Sequence, residues 1–179
     1  LTLCGDDEAK ATEESAVRTT GLIAMPCAFG LALLAEPITA LLGGYSGGNL
    51  AMATRLMTVL GFTIIFNALV LVSTAIMQAH GNVIHPVVNM LLAGCLRLLG
   101  VYVLSGNPEI GIMGAPISNL AAYVLIFLLN LLSIRQLYRD PPAILKNALR
   151  PMLSGLLMGA CAFGCYRVLL TAGVTSHLI

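Results

Sequence analysis

Residues 57–77 read MTVLGFTIIFNALVLVSTAIM, a run without one Asp, Glu, Lys or Arg. A hydrocarbon core about 30 Å thick needs about 20 apolar residues in a helix, because each residue rises about 1.5 Å. Lipid offers no water to unpaired backbone groups, so a helix, which bonds its own amides, is what this run requires. Four more segments reach the same length, at 19–42, 84–104, 112–132 and 149–170. Turn signals separate them: Gly43-Gly44, Gly81-Asn82, Gly106-Asn107-Pro108 and Asp140-Pro141-Pro142. The expected fold is therefore all-α and integral to the membrane. A multi-span bundle of about five transmembrane helices occupies 19–179, and a polar juxtamembrane segment, 1–18, precedes it.

The composition agrees. Hydrophobic residues make up 58% of the chain and charged residues 9%, against about a quarter charged in an ordinary soluble domain. A soluble protein of this length could not bury five helices that are apolar on every side. A formal net charge of +1 supplies no basic field for nucleic-acid phosphates, which excludes that class of partner. Cys4, Cys27, Cys95, Cys161 and Cys165 show no metal or redox spacing, and four of them lie in apolar runs as small packing residues. No cleavable signal peptide is visible, and the chain, opening at Leu1, reads as a fragment of a longer protein.

Positive charge sets orientation. Arg135, Arg139, Lys146 and Arg150 lie between the fourth and fifth spans, and Lys10 and Arg18 precede the first, so segments 1–18 and 133–148 should be cytoplasmic. The connection between spans one and two then faces outward with only Arg55, and the turn between spans two and three returns inside.

Polar side chains within spans are costly and usually face a bundle interior or a wet cavity, so their spacing is the main functional signal. On span two, Thr63, Asn67, Thr74 and Gln78 keep to one stripe at helical spacing. On span three, Asn89, Ala93, Arg97 and Gly100 share a face, and on span four Asn119 and Asn130 stand about three turns apart near Tyr123 and Ser133. The substrate-cavity candidates are thus Asn67, Thr74, Gln78, Asn89, Arg97, Asn119 and Asn130. The amides and hydroxyls read more readily as interhelical hydrogen bonds than as substrate contacts. Glu36 and Arg97 fall at similar depth below the outer face, which allows either an intramembrane ion pair or separate snorkelling. Pro26, with Gly30 one turn later, predicts a kink in span one. Pro86 and Pro116 read as first-turn prolines. Gly155-xxx-Gly159 and Ala160-xxx-Gly164 offer small faces for close helix contact.

No clustered Asp, Glu or His stands where a membrane enzyme would hold a metal or an acid and base, so neither enzyme activity, cofactor nor metal is expected. Asp6-Asp7-Glu8 and Glu13-Glu14 read as a solvated segment. His80 and His85 flank a turn without a nearby carboxylate in sequence and read as loop histidines. Gly43-Gly44-Tyr45-Ser46-Gly47-Gly48 lacks a following Lys-Ser or Lys-Thr and is a loop, not a phosphate cradle.

The stretch from Ser73 through Gln78-Ala79-His80-Gly81-Asn82, followed by Pro86-Val87-Val88-Asn89, resembles the polysaccharide-biosynthesis and stage V sporulation protein B-like transporters. Their superfamily also holds lipid II flippases and multidrug and toxin extruders. The likeness continues through Gly94, Arg97, Gly106-Asn107-Pro108 and Gly114-Ala115-Pro116-Ile117-Ser118, and reaches back to Pro26, Gly30 and Glu36-Pro37-Ile38. His80-Gly81-Asn82 departs from the family's commoner turn, which ends in lysine. A basic residue is common in the family at the place of Arg97. The resemblance implies the C-terminal lobe of a transporter of the multidrug and toxin extruder type, with two bundles around a cavity that opens alternately to each side. It also implies a polyprenyl-pyrophosphate-linked saccharide as substrate.

The expected function is therefore a flippase or exporter of a lipid-linked oligosaccharide or peptidoglycan precursor in polysaccharide biosynthesis. Its partners are the bilayer of the bacterial plasma membrane, that substrate and the remaining N-terminal lobe. The alternatives are a cation-coupled multidrug exporter and, from other classes, a membrane-embedded transferase or a structural membrane protein.

Overall fold

A computed structural model describes residues 2–43, 48–107, 110–137 and 144–171. Expectations placed on Tyr45, Ser46, Pro108, Arg139 and Asp140-Pro141-Pro142 lie outside these residues. The described chain is helical, without strands: α1 (Thr2–Leu33), α2 (Ala35–Gly43), α3 (Gly48–Ala79), α4 (Ile84–Ser105), a 3-10 turn (Gly111–Met113), α5 (Gly114–Leu137) and α6 (Ile144–Thr171). Five stretches are long and apolar enough to cross a membrane: Glu8–Leu33, Gly48–Ala79, Ile84–Ser105, Gly111–Leu137 and Ala148–Val168. The chain is thus an all-α, multi-span membrane bundle.

Span one, read at 19–42, is carried by two helices. α1 has 32 residues, about 48 Å of helix, and its polar first turns are continuous with its apolar part. Pro26 lies inside α1, and Leu34 separates α1 from α2. Pro37 accounts for that position: it has no N–H for the Leu33 carbonyl, and its ring crowds that carbonyl. The helical bonds from Leu34 N to Gly30 O and from Ile38 N to Leu34 O, both 3.0 Å, continue on either side. Pro86 and Pro116 are the third residues of α4 and α5, in the first turn, where no amide donor is needed. Pro151 is interior to α6.

The turn from α3 to α4 ends the helix by a Schellman motif. Asn82 N donates to Met77 O and Gly81 N to Gln78 O, each at 2.9 Å, and Gly81 takes φ +77°, a conformation open to residues without Cβ.

The helices pack in the spatial order α6, α1, α3, α5, α4, with α2 lying against α3. Position in the row decides burial: 50% of the apolar window of α3 is buried, against 6% for α4 at one edge. Between α1 and α6 the contact relies on glycine, since a Cβ on Gly155 would lie 2.8 Å from Met25 and one on Gly159 3.1 Å from Phe29 Cβ. Such close approach is how helices gain contact in lipid, where water supplies no drive to associate. The second small pair does not share in it, for nothing lies within 4 Å of a Cβ on Gly164. A core of Val17, Ile76, Met77, Ile134, Ile144 and Ala148 gathers one end of the bundle, with the α3–α4 turn, the end of α5 and the start of α6 together.

Candidate functional site

Polar side chains of three helices meet beside that core. Asn130 of α5 has no solvent exposure, so each of its polar atoms needs a partner within the protein. Its Nδ2 donates to Ser73 Oγ and Thr74 Oγ1 of α3, both at 3.1 Å. Its Oδ1 accepts from Asn89 Nδ2 of α4 at 3.0 Å. Asn89 also points its amide at Ser133 Oγ, 3.4 Å away, and Ser73 Oγ donates to the Val70 carbonyl at 3.0 Å. Both amide hydrogens and the oxygen of Asn130 thereby have partners, and α3, α4 and α5 are joined by one network.

The other stripe residues behave differently. Thr63 is buried and returns its hydroxyl to the Val59 carbonyl of its own helix, 2.9 Å away, the usual recourse of a hydroxyl within a membrane helix. Asn67 is half-buried and Gln78 exposed. Asn119 keeps its Oδ1 buried without a hydrogen-bond partner. The structure thus brings together Thr74, Asn89 and Asn130, and leaves Asn67, Gln78, Arg97 and Asn119 outside their network.

Arg97 is exposed on α4, on a shallow groove lined by Met90, Gly94, Leu98 and Tyr102. It lies eight residues before Ser105, about 12 Å from the end of its helix. Glu36 is exposed on α2, and no ion pair joins it to Arg97 among the described residues. A cation within a span costs about 2.5–3.5 kcal/mol unless it finds a partner or snorkels.

One polar contact was not legible from the chain. His80 Nε2 lies 2.6 Å from Glu13 Oε1, with Glu13 mostly buried, so the loop histidine acquires a carboxylate from 67 residues earlier. The pair is beside a groove between α1 and α3, lined by Thr12, Ala16 and Thr20 on one wall and Leu71, Ala75 and Ala79 on the other. The only advance signal is that Glu13 and Val17 are one turn apart, with Val17 apolar amid polar neighbours. Among the described residues no group of His, Cys, Asp and Glu is placed to hold a metal.

Comparison with curated proteins and with solved structures returned no match. The family model described as "Lipid II flippase MurJ" matches residues 5–179. That family lies within the exporter superfamily indicated by the turn and span motifs, on its lipid II branch, and its members are transporters of the bacterial inner membrane. With the match running through all five spans, this chain belongs to the lipid II flippase MurJ family and is a multi-pass protein of the bacterial plasma membrane.

Proposed function

We propose that the intact protein carries a polyprenyl-pyrophosphate-linked saccharide of peptidoglycan synthesis from the cytoplasmic to the outer leaflet, and that this chain forms one lobe of a two-bundle transporter. The observation that carries the reading is the family match over residues 5–179. The likeness of Ser73–Asn82 and Gly114–Ser118 to polysaccharide-biosynthesis transporters supports a saccharide head group on the lipid. No covalent chemistry is needed. The cost is moving a polar head group through a low-dielectric slab, which a cavity lined by amides and a cation lowers.

Within this lobe the roles divide by burial. The Asn89–Asn130–Ser73 network holds α3, α4 and α5 as one unit, and the exposed Gln78 and Arg97, with the half-buried Asn67, face the path. Such a rigid unit suits alternating access, in which packed bundles rock against each other about a fixed site. The membrane potential or an ion gradient resets access. In this reading Arg18, Arg135 and Arg150, with the α3–α4 turn, lie on the cytoplasmic side, the side that gathers basic residues.

The test is made in cells whose own flippase is depleted. Expression of the full-length protein should restore outward exposure of the labelled precursor, scored by cleavage with an externally added enzyme that cannot cross the membrane. Restored drug efflux without precursor exposure would instead favour the cation-coupled exporter.

A further inference from the structure

Of residues 8–17 on α1 only Val17 is buried, in the core with Ile76, Met77, Ile144 and Ala148. Apolar packing therefore anchors α1 at Val17, and residues 8–16 have no such hold. A segment with so little buried surface moves easily, and a single polar contact can decide where it lies. Glu13 makes such a contact: its Oε1 is 2.6 Å from His80 Nε2 on the α3–α4 turn. The Glu13 side chain is 12% exposed and that of His80 40%.

The contact stands at one end of the groove between α1 and α3, since Glu13 lines the groove and His80 directly follows Ala79 of its other wall. Histidine is the side-chain type that changes charge between about pH 5 and 8. Protonated, His80 gives the mostly buried Glu13 carboxylate a cation. Neutral, it offers one N–H at most, and a desolvated carboxylate with a weakened partner is relieved by moving out into water. The other charged or titratable residues on the elements gathered here are Lys10, Glu14 and Arg18 of α1, His85 of α4, Arg135 of α5, and Lys146 and Arg150 of α6. α3 carries none between Arg55 and the turn. Of these only His85 is of the type that titrates near neutrality, and its Nδ1–H donates to Asn82 Oδ1 at 2.7 Å.

We propose that Glu13 and His80 form a proton-operated strap. With His80 protonated, residues 8–16 are drawn onto the α3–α4 turn and that end of the groove is closed; with His80 neutral, the segment swings out ahead of Val17 and the groove opens. An ionic contact to a 40% exposed partner is weak, so the strap biases two positions of the segment and locks neither. The inference stands apart from the identity of the transported lipid.

The test uses the full-length protein, freed of its other cysteines, in vesicles buffered alike on both sides. Spin labels are attached through Thr12→Cys and Ala79→Cys, exposed on opposite walls of the groove, and a second pair through Thr20→Cys and Leu71→Cys lies on the far side of Val17. From about pH 6 to about pH 8 the ratio of long to short distances for the first pair should rise about two- to five-fold, while the second pair stays unchanged. His80→Gln should hold the open distribution at both pH values, and His80→Lys, a permanent cation, the closed one. Glu13→Gln should abolish the response, and His85→Gln should retain it. Distances indifferent to pH in the labelled protein with Glu13 and His80 intact, a response that survives His80→Gln, or an equal response from the second pair would each overturn the proposal. The labels report distance whether or not a lipid is carried, so the functional reading is judged separately.

Discussion

Asn89 on α4 and Asn130 on α5 share a hydrogen bond of 3.0 Å, although 41 residues separate them, and through it the edge helix is tied to the centre of the bundle. α4 is otherwise little buried, and this bond joins the Gly100–Ser118 contact, the buried Ala93 and the close approach of Gly114 to Leu104 in locating it.

Asn130→Ala removes the acceptor for Asn89 and the donor for Ser73 and Thr74 at once. It should destabilise the protein by about 1–2 kcal/mol, whereas Asn89→Ala, with a half-buried amide, should cost about 0.5–1. The double variant should cost less than the sum, since both changes break the same bond. Unfolding of the purified protein in mixed micelles provides the measurement, and additive losses would remove the network from the account.

Much of this was readable from the chain alone. The spans follow from apolar length, and Asn89, Asn130 and Thr74 stood out because amides and hydroxyls at helical spacing are costly in lipid. The pairing among them was not legible: spacing fixes the face of a helix but not which neighbour that face meets, and α4 lies beside α5 rather than against the α3 that precedes it. Glu13 and His80 were invisible for the same reason, each looking solvated by its own neighbours. The separation of α1 from α2 at Leu34 was not legible either, since it depends on how the surrounding helix accommodates the missing donor of Pro37.

The α1–α6 seam predicts contrasting glycine substitutions. Gly155→Ala forces a methyl group to 2.8 Å from Met25 and should cost about 1–3 kcal/mol, as overpacking does. Gly164→Ala meets open space and should be neutral or stabilising by up to about 1 kcal/mol. The same unfolding assay compares them; equal effects would mean that the seam is not as close as described.

At the α3–α4 turn, Gly81→Ala places a Cβ on a residue at φ +77°. A loss of about 1 kcal/mol is expected. Replacement by Asn, which tolerates the left-handed region, should recover part of it. If alanine and asparagine proved equivalent to glycine, the helix would have to end in another way.

The Glu13–His80 contact predicts a small effect, because His80 is 40% exposed and partly exposed pairs contribute little. Glu13→Ala and His80→Ala in a double-mutant cycle should show a coupling of at most about 1 kcal/mol. A much larger coupling would mean that the pair is shielded from water by something packed over it.

Glu36 and Arg97 are not in contact, so Glu36→Gln and Arg97→Gln should combine to within about 0.5 kcal/mol of additivity in stability. A cycle with strong coupling would place the two charges together.

The central claim is that the protein moves a lipid-linked saccharide across a bilayer, and the most direct measurement places the full-length protein in vesicles with a fluorescent polyprenyl-pyrophosphate saccharide in the inner leaflet. A membrane-impermeant quencher outside should extinguish the signal faster in the protein's presence, with Arg97→Gln slowing the process. Equal rates in vesicles with and without the protein would contradict the account.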